Sequence, residues 1–289
     1  MKRGLLVSAA LVAVSLVTVS RASVGRLLAQ QNNSITVENG VAFINPGSPV
    51  LPESEFNSKP IPRLPDGKVD LTGPWVGGGA VADIEANGGL KPGDMPLLPW
   101  AKALRDRRRS QDDPYTACLP MGPLRSNPYP WKFAASYTSK GLSHMYILHE
   151  LGDAGNHRVV YMDGRTHPDD LIPNWTGHSI GRWEGDRLVV DSVGFNDKWW
   201  FDRRGTPHTE QLHIIERYTR LSYGQIRNEA TIEDPGALSR PVNVTFTARL
   251  LQPDAKSGVG DLLEFICNED NQYGKAGNFR PGTGAGNDK

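Results

Sequence analysis

The chain has 289 residues, with 32 basic and 32 acidic side chains and a formal net charge of +0. Nucleic acid and anionic membrane surfaces both select for an excess of cations, so this balance argues against either as the main partner. Length alone does not choose between one large β domain and two small ones.

Lys2 and Arg3 precede an almost wholly apolar run from Gly4 to Val19, followed by small residues at Ser20-Arg21-Ala22 and again at Leu28-Ala29. This layout predicts a secretory signal peptide over residues 1–29, with cleavage after Ala29 ahead of the Ala22 alternative. A membrane anchor is the competing explanation, but the apolar run stops short of the ~20 residues needed to span. No later stretch approaches that length, so the mature chain is expected to leave the membrane and to be periplasmic or secreted. Cys118 and Cys267 are the two cysteines. An isolated pair in an exported chain predicts one disulfide; a thiol nucleophile or metal thiolate is the alternative, and an oxidising compartment disfavours it.

Residues 30–68 carry Pro46, Pro49, Pro52, Pro60, Pro62 and Pro65 with few large apolar side chains between them, which predicts an extended linker. Val69 to Trp75 opens the folded part, and a link rich in glycine follows (Gly77, Gly78, Gly79, Gly88, Gly89). Pro96 to Ser110 reads as the one helix, with Pro99 in its first turn and Trp100, Ala103 and Leu104 as its apolar stripe. The basic residues from Arg105 to Arg109 at its end complement the helix dipole and are expected to stay in solvent.

After the proline-rich loop from Asp112 to Pro130, strands are expected at Trp131–Thr138, Ser143–Leu151, Arg158–Met162, Thr176–Trp183 and Arg187–Gly194. Further strands are expected at Gln211–Arg220, Gln225–Glu233, Val242–Leu251 and Leu262–Asn268. Glu184-Gly185-Asp186 marks a hairpin turn between two of them. Nothing alternates strand with helix, which excludes a doubly wound sheet. An all-β antiparallel barrel of about 8–10 strands, or a strongly bent sandwich, hides the edges of such a sheet and leaves an interior for one small ligand. The domain is expected over residues 69–271, with a disordered tail at 272–289.

Two resemblances sharpen this. Leu71-Thr72-Gly73-Pro74-Trp75 resembles the Gly-x-Trp opening of lipocalin-type barrels, in which a tryptophan on the first strand plugs one end. It implies a lipocalin- or calycin-like barrel. Asp163-Gly164-Arg165-x-His167-Pro168 and Gly177-His178-Ser179-Ile180-Gly181-Arg182-Trp183-Glu184-Gly185-Asp186 are similar to motifs of an exported bacterial family without an assigned function. Asp70-Leu71-Thr72-Gly73-x-Trp75, Asp113-Pro114 with Cys118-Leu119-Pro120, and Ile215-Glu216-Arg217 belong to the same likeness, which runs from about Asp70 to Asn271. It implies a fold and no catalytic assignment.

The chemistry concentrates between Arg158 and Phe195. On an extended chain Asp163, Arg165 and His167 share a face, able to hold an anionic or carbonyl oxygen while an imidazole moves a proton. Asp163 and Arg165 could equally form a structural clasp. His178 shares its face with Ile180 and Arg182, opposite the small residues Gly177, Ser179 and Gly181. If that small face is outside, His178 and Arg182 point into the lumen. Asp191, in an apolar strand, needs a partner if buried, with His178 or Arg182 as candidates. Asp197, Trp199, Trp200 and His208 lie in a loop that reads either as a lid over a ligand or as a hydrophobic cap. Glu216 shares a face with Ile214 and Tyr218, His213 with Ile215 and Arg217. His167, His178, His208 and His213 with Asp163 or Glu216 could ligate zinc or iron, but none has the short spacing that marks such sites, and no metal or cofactor is expected. No Gly-x-Ser-x-Gly elbow occurs.

The expected function is acid–base chemistry on a small organic molecule, by hydrolysis, elimination or isomerisation. Asp163, Arg165, His167 and His178 are its expected catalytic groups, with Arg182, Asp191, Asp197, Trp199, Trp200, His208 and Glu216 as binding residues. The alternative is a non-catalytic carrier of an apolar or aromatic ligand.

Overall fold

The computed structural model describes residues 35–38, 41–44, 50–127, 129–151, 157–252, 261–263 and 267. All lie in one unit that begins at Ile35. The expected signal peptide and C-terminal tail therefore fall outside the described residues. β1 (Ile35–Glu38) and β2 (Val41–Ile44) pair antiparallel as a separate two-stranded sheet.

The remaining strands are β3 (Trp75–Gly77), β4 (Trp131–Thr138), β5 (Gly141–His149), β6 (His157–Tyr161) and β7 (His178–Glu184), then β8 (Arg187–Val193), β9 (His213–Ser222), β10 (Gln225–Glu233) and β11 (Val242–Leu250). Each pairs with the next in sequence, and β11 pairs with β3 to close a nine-strand barrel. β3 closes the ring through three pairs with β11 and one with β4, Trp75 opposite Trp131. Direction cannot alternate all the way round an odd ring, so one neighbouring pair has to run parallel. That pair is β6–β7, with Val160 opposite Ser179 and Tyr161 opposite Ile180. Parallel neighbours need a crossover rather than a hairpin, and residues 162–177 provide it with no helix. By contrast β7 and β8 join through a two-residue turn, with Gly185 at φ +62° as such turns require.

Two apolar clusters fill the inner face. One holds Trp75, Trp131, Phe133, Ile147, Val160 and Tyr218; the other holds Leu124, Phe195, Trp199, Phe201, Ile214 and Phe246. Each fully buried large side chain contributes roughly 1.5–3 kcal/mol. Trp75 is wholly buried, its indole donating to the Leu71 carbonyl at 2.8 Å beneath the Arg220 guanidinium. Gly73 is required there: it sits at φ +93°, and a Cβ would lie 2.6 Å from the Trp75 ring. These clusters pack much of the interior, where the sequence suggested a hollow.

Three further expectations change. The expected linker at 30–68 holds β1 and β2, and from residue 50 it packs on the barrel: Leu51 and Phe56 are buried against the first cluster, and Leu51 donates its backbone N–H to the Leu250 carbonyl. Two large side chains suffice to dock it, and the surrounding prolines masked them. Among the described residues the α-helices are α1 (Ile84–Asn87), α2 (Pro99–Arg107) and α3 (Pro123–Ser126), α2 being the expected one. Its buried face holds Ala101 and Arg105, while Trp100 is 44% exposed and donates to the Gly236 carbonyl. Arg105 pairs with buried Glu85, and Arg108 lies over the Trp200 ring, so part of the basic end turns inward. Leu262 and Leu263 are in no strand; of the strand expected there, only they and Cys267 are described.

Cys118 and Cys267 form the expected disulfide, 149 residues apart in sequence. In the chain-entropy model, which is disputed, such a loop is worth about 5 kcal/mol. The bond is compatible with an oxidising compartment. Among the described residues no helix is long and apolar enough to cross a membrane.

Candidate active site

Strand alternation decides which side chains reach this site. On β7, Ser179 is buried and bonded to Ser192 at 2.7 Å. Gly181 leaves room for Val160 and Met162, since a Cβ there would lie 2.5 Å from the Met162 sulfur. The small residues therefore face inward, where neighbours crowd them, and His178, Ile180 and Arg182 take the outer wall. This reverses the condition under which His178 and Arg182 would line the lumen.

Tyr161, His178, Asp191, His213 and Glu233 stand on the outer wall of five successive strands, all partly exposed. His167 comes from the crossover and lies over this row. The crossover is tied to the end of β8: Asn174 N–H donates to the Gly194 carbonyl, and Leu171 packs on Gly194. Gly177, at φ +68° and tight against Phe195, turns the chain into β7.

The result is a chain of imidazoles and carboxylates. His178 Nδ1 lies 2.8 Å from His167 Nδ1, and His167 Nε2 lies 3.3 Å from Asp191 Oδ1. His213 Nε2 reaches the same Asp191 oxygen at 2.7 Å, and its Nδ1 stands 3.4 Å from Glu233 Oε2. A carboxylate only accepts, so His167 holds its proton on Nε2 and His213 donates through its own Nε2. With that proton on Nε2, His167 Nδ1 is the acceptor, which puts the shared proton on His178 Nδ1. His178 Nε2 remains as a lone pair, with no hydrogen-bond partner among the described residues.

Electrostatics suit this assignment. Partial burial, reinforced by His167 and by the Arg165 charge, lowers the His178 pKa and keeps the ring neutral. The hydrogen bond from His213 holds Asp191 below the usual carboxylate range, against partial burial. The same bond raises His213, helped by the Asp191 and Glu233 charges. Tyr161 stacks on His178 with ring centroids 5.0 Å apart, and the Arg165 guanidinium lies 3.9 Å from the Tyr161 ring centre.

The structure brings together His167, His178 and Asp191, with Arg165 one ring away. Asp163 clasps Arg165, Oδ2 to Nη2 at 2.6 Å, and that bond draws its pKa down to about 2. Asp191 takes His167 and His213 as partners instead of the expected His178 or Arg182; Arg182 points to solvent and pairs with Glu184. Asp197 is exposed. Trp199, Trp200 and His208 are buried, with Trp199 and His208 ring centroids 3.9 Å apart, so this loop is a cap of packed rings and no open lid. Glu216 lies inside the barrel against Arg158. Among the described residues no group of three or more His, Cys, Asp or Glu side chains is placed to hold a metal ion.

Tyr161 and Glu233 escaped sequence reasoning. Both sit at strand ends whose only signal was position, and pairing β9 with β10 in register places Glu233 opposite His213. Comparisons with family models, with curated proteins and with solved structures returned no match.

Proposed function

We propose that the protein is an exported enzyme that uses His178 as a general base on a small organic molecule. His178 Nε2 takes the substrate proton; the Nδ1 proton shifts toward His167, and the charge is stabilised by Asp191. Arg165, held by Asp163 and Tyr161, is the group available to an anionic or carbonyl oxygen of the substrate. The observation that carries this is the unbroken run of hydrogen bonds from Asp191 through His167 to His178. Hydrolysis, elimination and isomerisation all begin with such a proton abstraction. The disulfide supports export, and the Gly73-x-Trp75 opening with its buried tryptophan supports a lipocalin-like relation. An interior packed with aromatic rings weighs against the carrier alternative.

The test is a panel of small esters, lactones and β-hydroxy acids, offered to the wild type and to His178→Ala and His167→Ala. Turnover present in the wild type and lost in both variants, at an unchanged thermal midpoint, is the expected result. A variant that keeps turnover, or that loses it only by unfolding, removes the proposal.

A further inference from the structure

The inner face of the barrel is not apolar throughout. Along β9 the inward side chains run Ile214, Glu216, Tyr218, and along β10 they run Ile226, Asn228, Ala230. Glu216 and Asn228 thus stand where one apolar cluster gives way to the other. Arg158 on β6 and His149 on β5 are buried at the same boundary, beyond Val160 and Ile147 of the first cluster. Arg158 and Glu216 form an ion pair. Tyr218 Oη donates to Glu216 Oε1 at 2.6 Å, and Asn228 Nδ2 donates to the same oxygen at 3.0 Å. His149 donates to the backbone of Ser126 at the end of α3, and burial, with the neighbouring Arg158 charge adding to it, keeps its ring neutral.

Arg158 Nη1 and Glu216 Oε2 meet each other as the ion pair, and three further buried atoms of this layer have no partner among the described residues: Arg158 Nε, His149 Nδ1 and Asn228 Oδ1. Buried polar groups left unmade are costly, and native folds rarely leave several together. Their chemistry is specific. Arg158 Nε–H is a donor. His149 Nδ1 is a lone pair, because the ring's proton is already given to Ser126. Asn228 Oδ1 accepts, because its amide nitrogen is engaged with Glu216. What these atoms lack is an acceptor oxygen for Arg158 and hydroxyl hydrogens for His149 and Asn228. Arg158 and Glu216 cancel in charge and His149 is neutral, so the complement is uncharged.

We propose that this polar layer is a closed binding site for a small uncharged hydroxyl-bearing molecule, for which water is the smallest candidate. The layer leaves three atoms unmet, the number of hydrogen bonds that a buried water usually makes. It stands apart from the outer-wall chain and does not depend on the activity proposed there.

Oxygen-17 magnetic relaxation dispersion and native mass spectrometry on the full-length purified protein distinguish the two sources. A long-lived internal water whose dispersion amplitude falls in His149→Phe supports the site with water as occupant. A bound mass of an alcohol or polyol, released on unfolding, supports it with an organic occupant. Neither signal from the folded wild type overturns the proposal, and this measurement stands even if His149→Phe fails to fold. A dispersion amplitude unchanged in a folded His149→Phe, or a bound molecule without a hydroxyl, also overturns it.

Discussion

Acidification should weaken this barrel through two imidazoles that have no room for a proton. Burial, with the Arg158 charge adding to it, pushes His149 down to about 3 despite its bond to Ser126. Burial likewise pushes His208 down to about 4, against its bond to the Thr209 carbonyl. In the unfolded chain both titrate near about 6.5. Their folded values are depressed, so the unfolded state alone takes up protons as the pH falls below that point. The stability they carry is complete above about 6.5 and declines as the pH drops toward the folded values. About pH 5 lies about 1.5 units below the unfolded value and above both folded ones, a loss of about 2 kcal/mol per histidine and about 4 kcal/mol for the pair. His178, also lowered, works in the same direction; His213, which is raised, works against it and gains on acidification. Urea unfolding followed by tryptophan fluorescence at about pH 7.5 and about pH 5 measures the total. His149→Gln and His208→Gln isolate the two contributions, because each should shrink the difference between the two pH values by about 2 kcal/mol. A variant that kept the full wild-type difference would refute the linkage at that residue.

Two other expectations follow from the core and the disulfide. Glu216→Gln strands the buried Arg158 charge and should cost about 3–5 kcal/mol in urea unfolding, whereas Arg158→Met with Glu216→Leu should recover most of it; a Glu216→Gln protein as stable as wild type would show that the pair is not desolvated. Cys118→Ser with Cys267→Ser should lower stability by about 2–5 kcal/mol, read as a fall in the thermal midpoint that reductant reproduces in the wild type. An unchanged midpoint would mean that the unfolded chain is already confined.

Much of the barrel was legible because period-two alternation is a local signal. Trp131–Thr138 and Gln225–Glu233 have the expected bounds, and the turn at Gly185 was marked by its own residues. What alternation cannot give is its sign: the same pattern on β7 reads equally well with His178 inside or outside. Crowding by Val160 and Met162 at Gly181 settles it, and that is a tertiary fact. The site was legible in part. His167 and His178 stand close because of a crossover motif visible in sequence, while His213 and Glu233 arrive by register across β8, β9 and β10. Leu51 and Phe56 were missed for a simpler reason, since two anchors among many prolines do not alter an average.

An uneven strand count has a cost in chain length that evolution can put to use. A staircase with an odd number of flights must somewhere send the walker back to the starting floor, and here that return journey is the stretch between β6 and β7. Those residues climb the full height of the wall without being part of it, so their sequence is free of the alternation that binds every strand. Substituting this one passage should leave the staves of the cask in place. Trimming it to hairpin length is forbidden by direction alone. His167, Arg165 and Asp163 sit on the one connection whose length the topology protects.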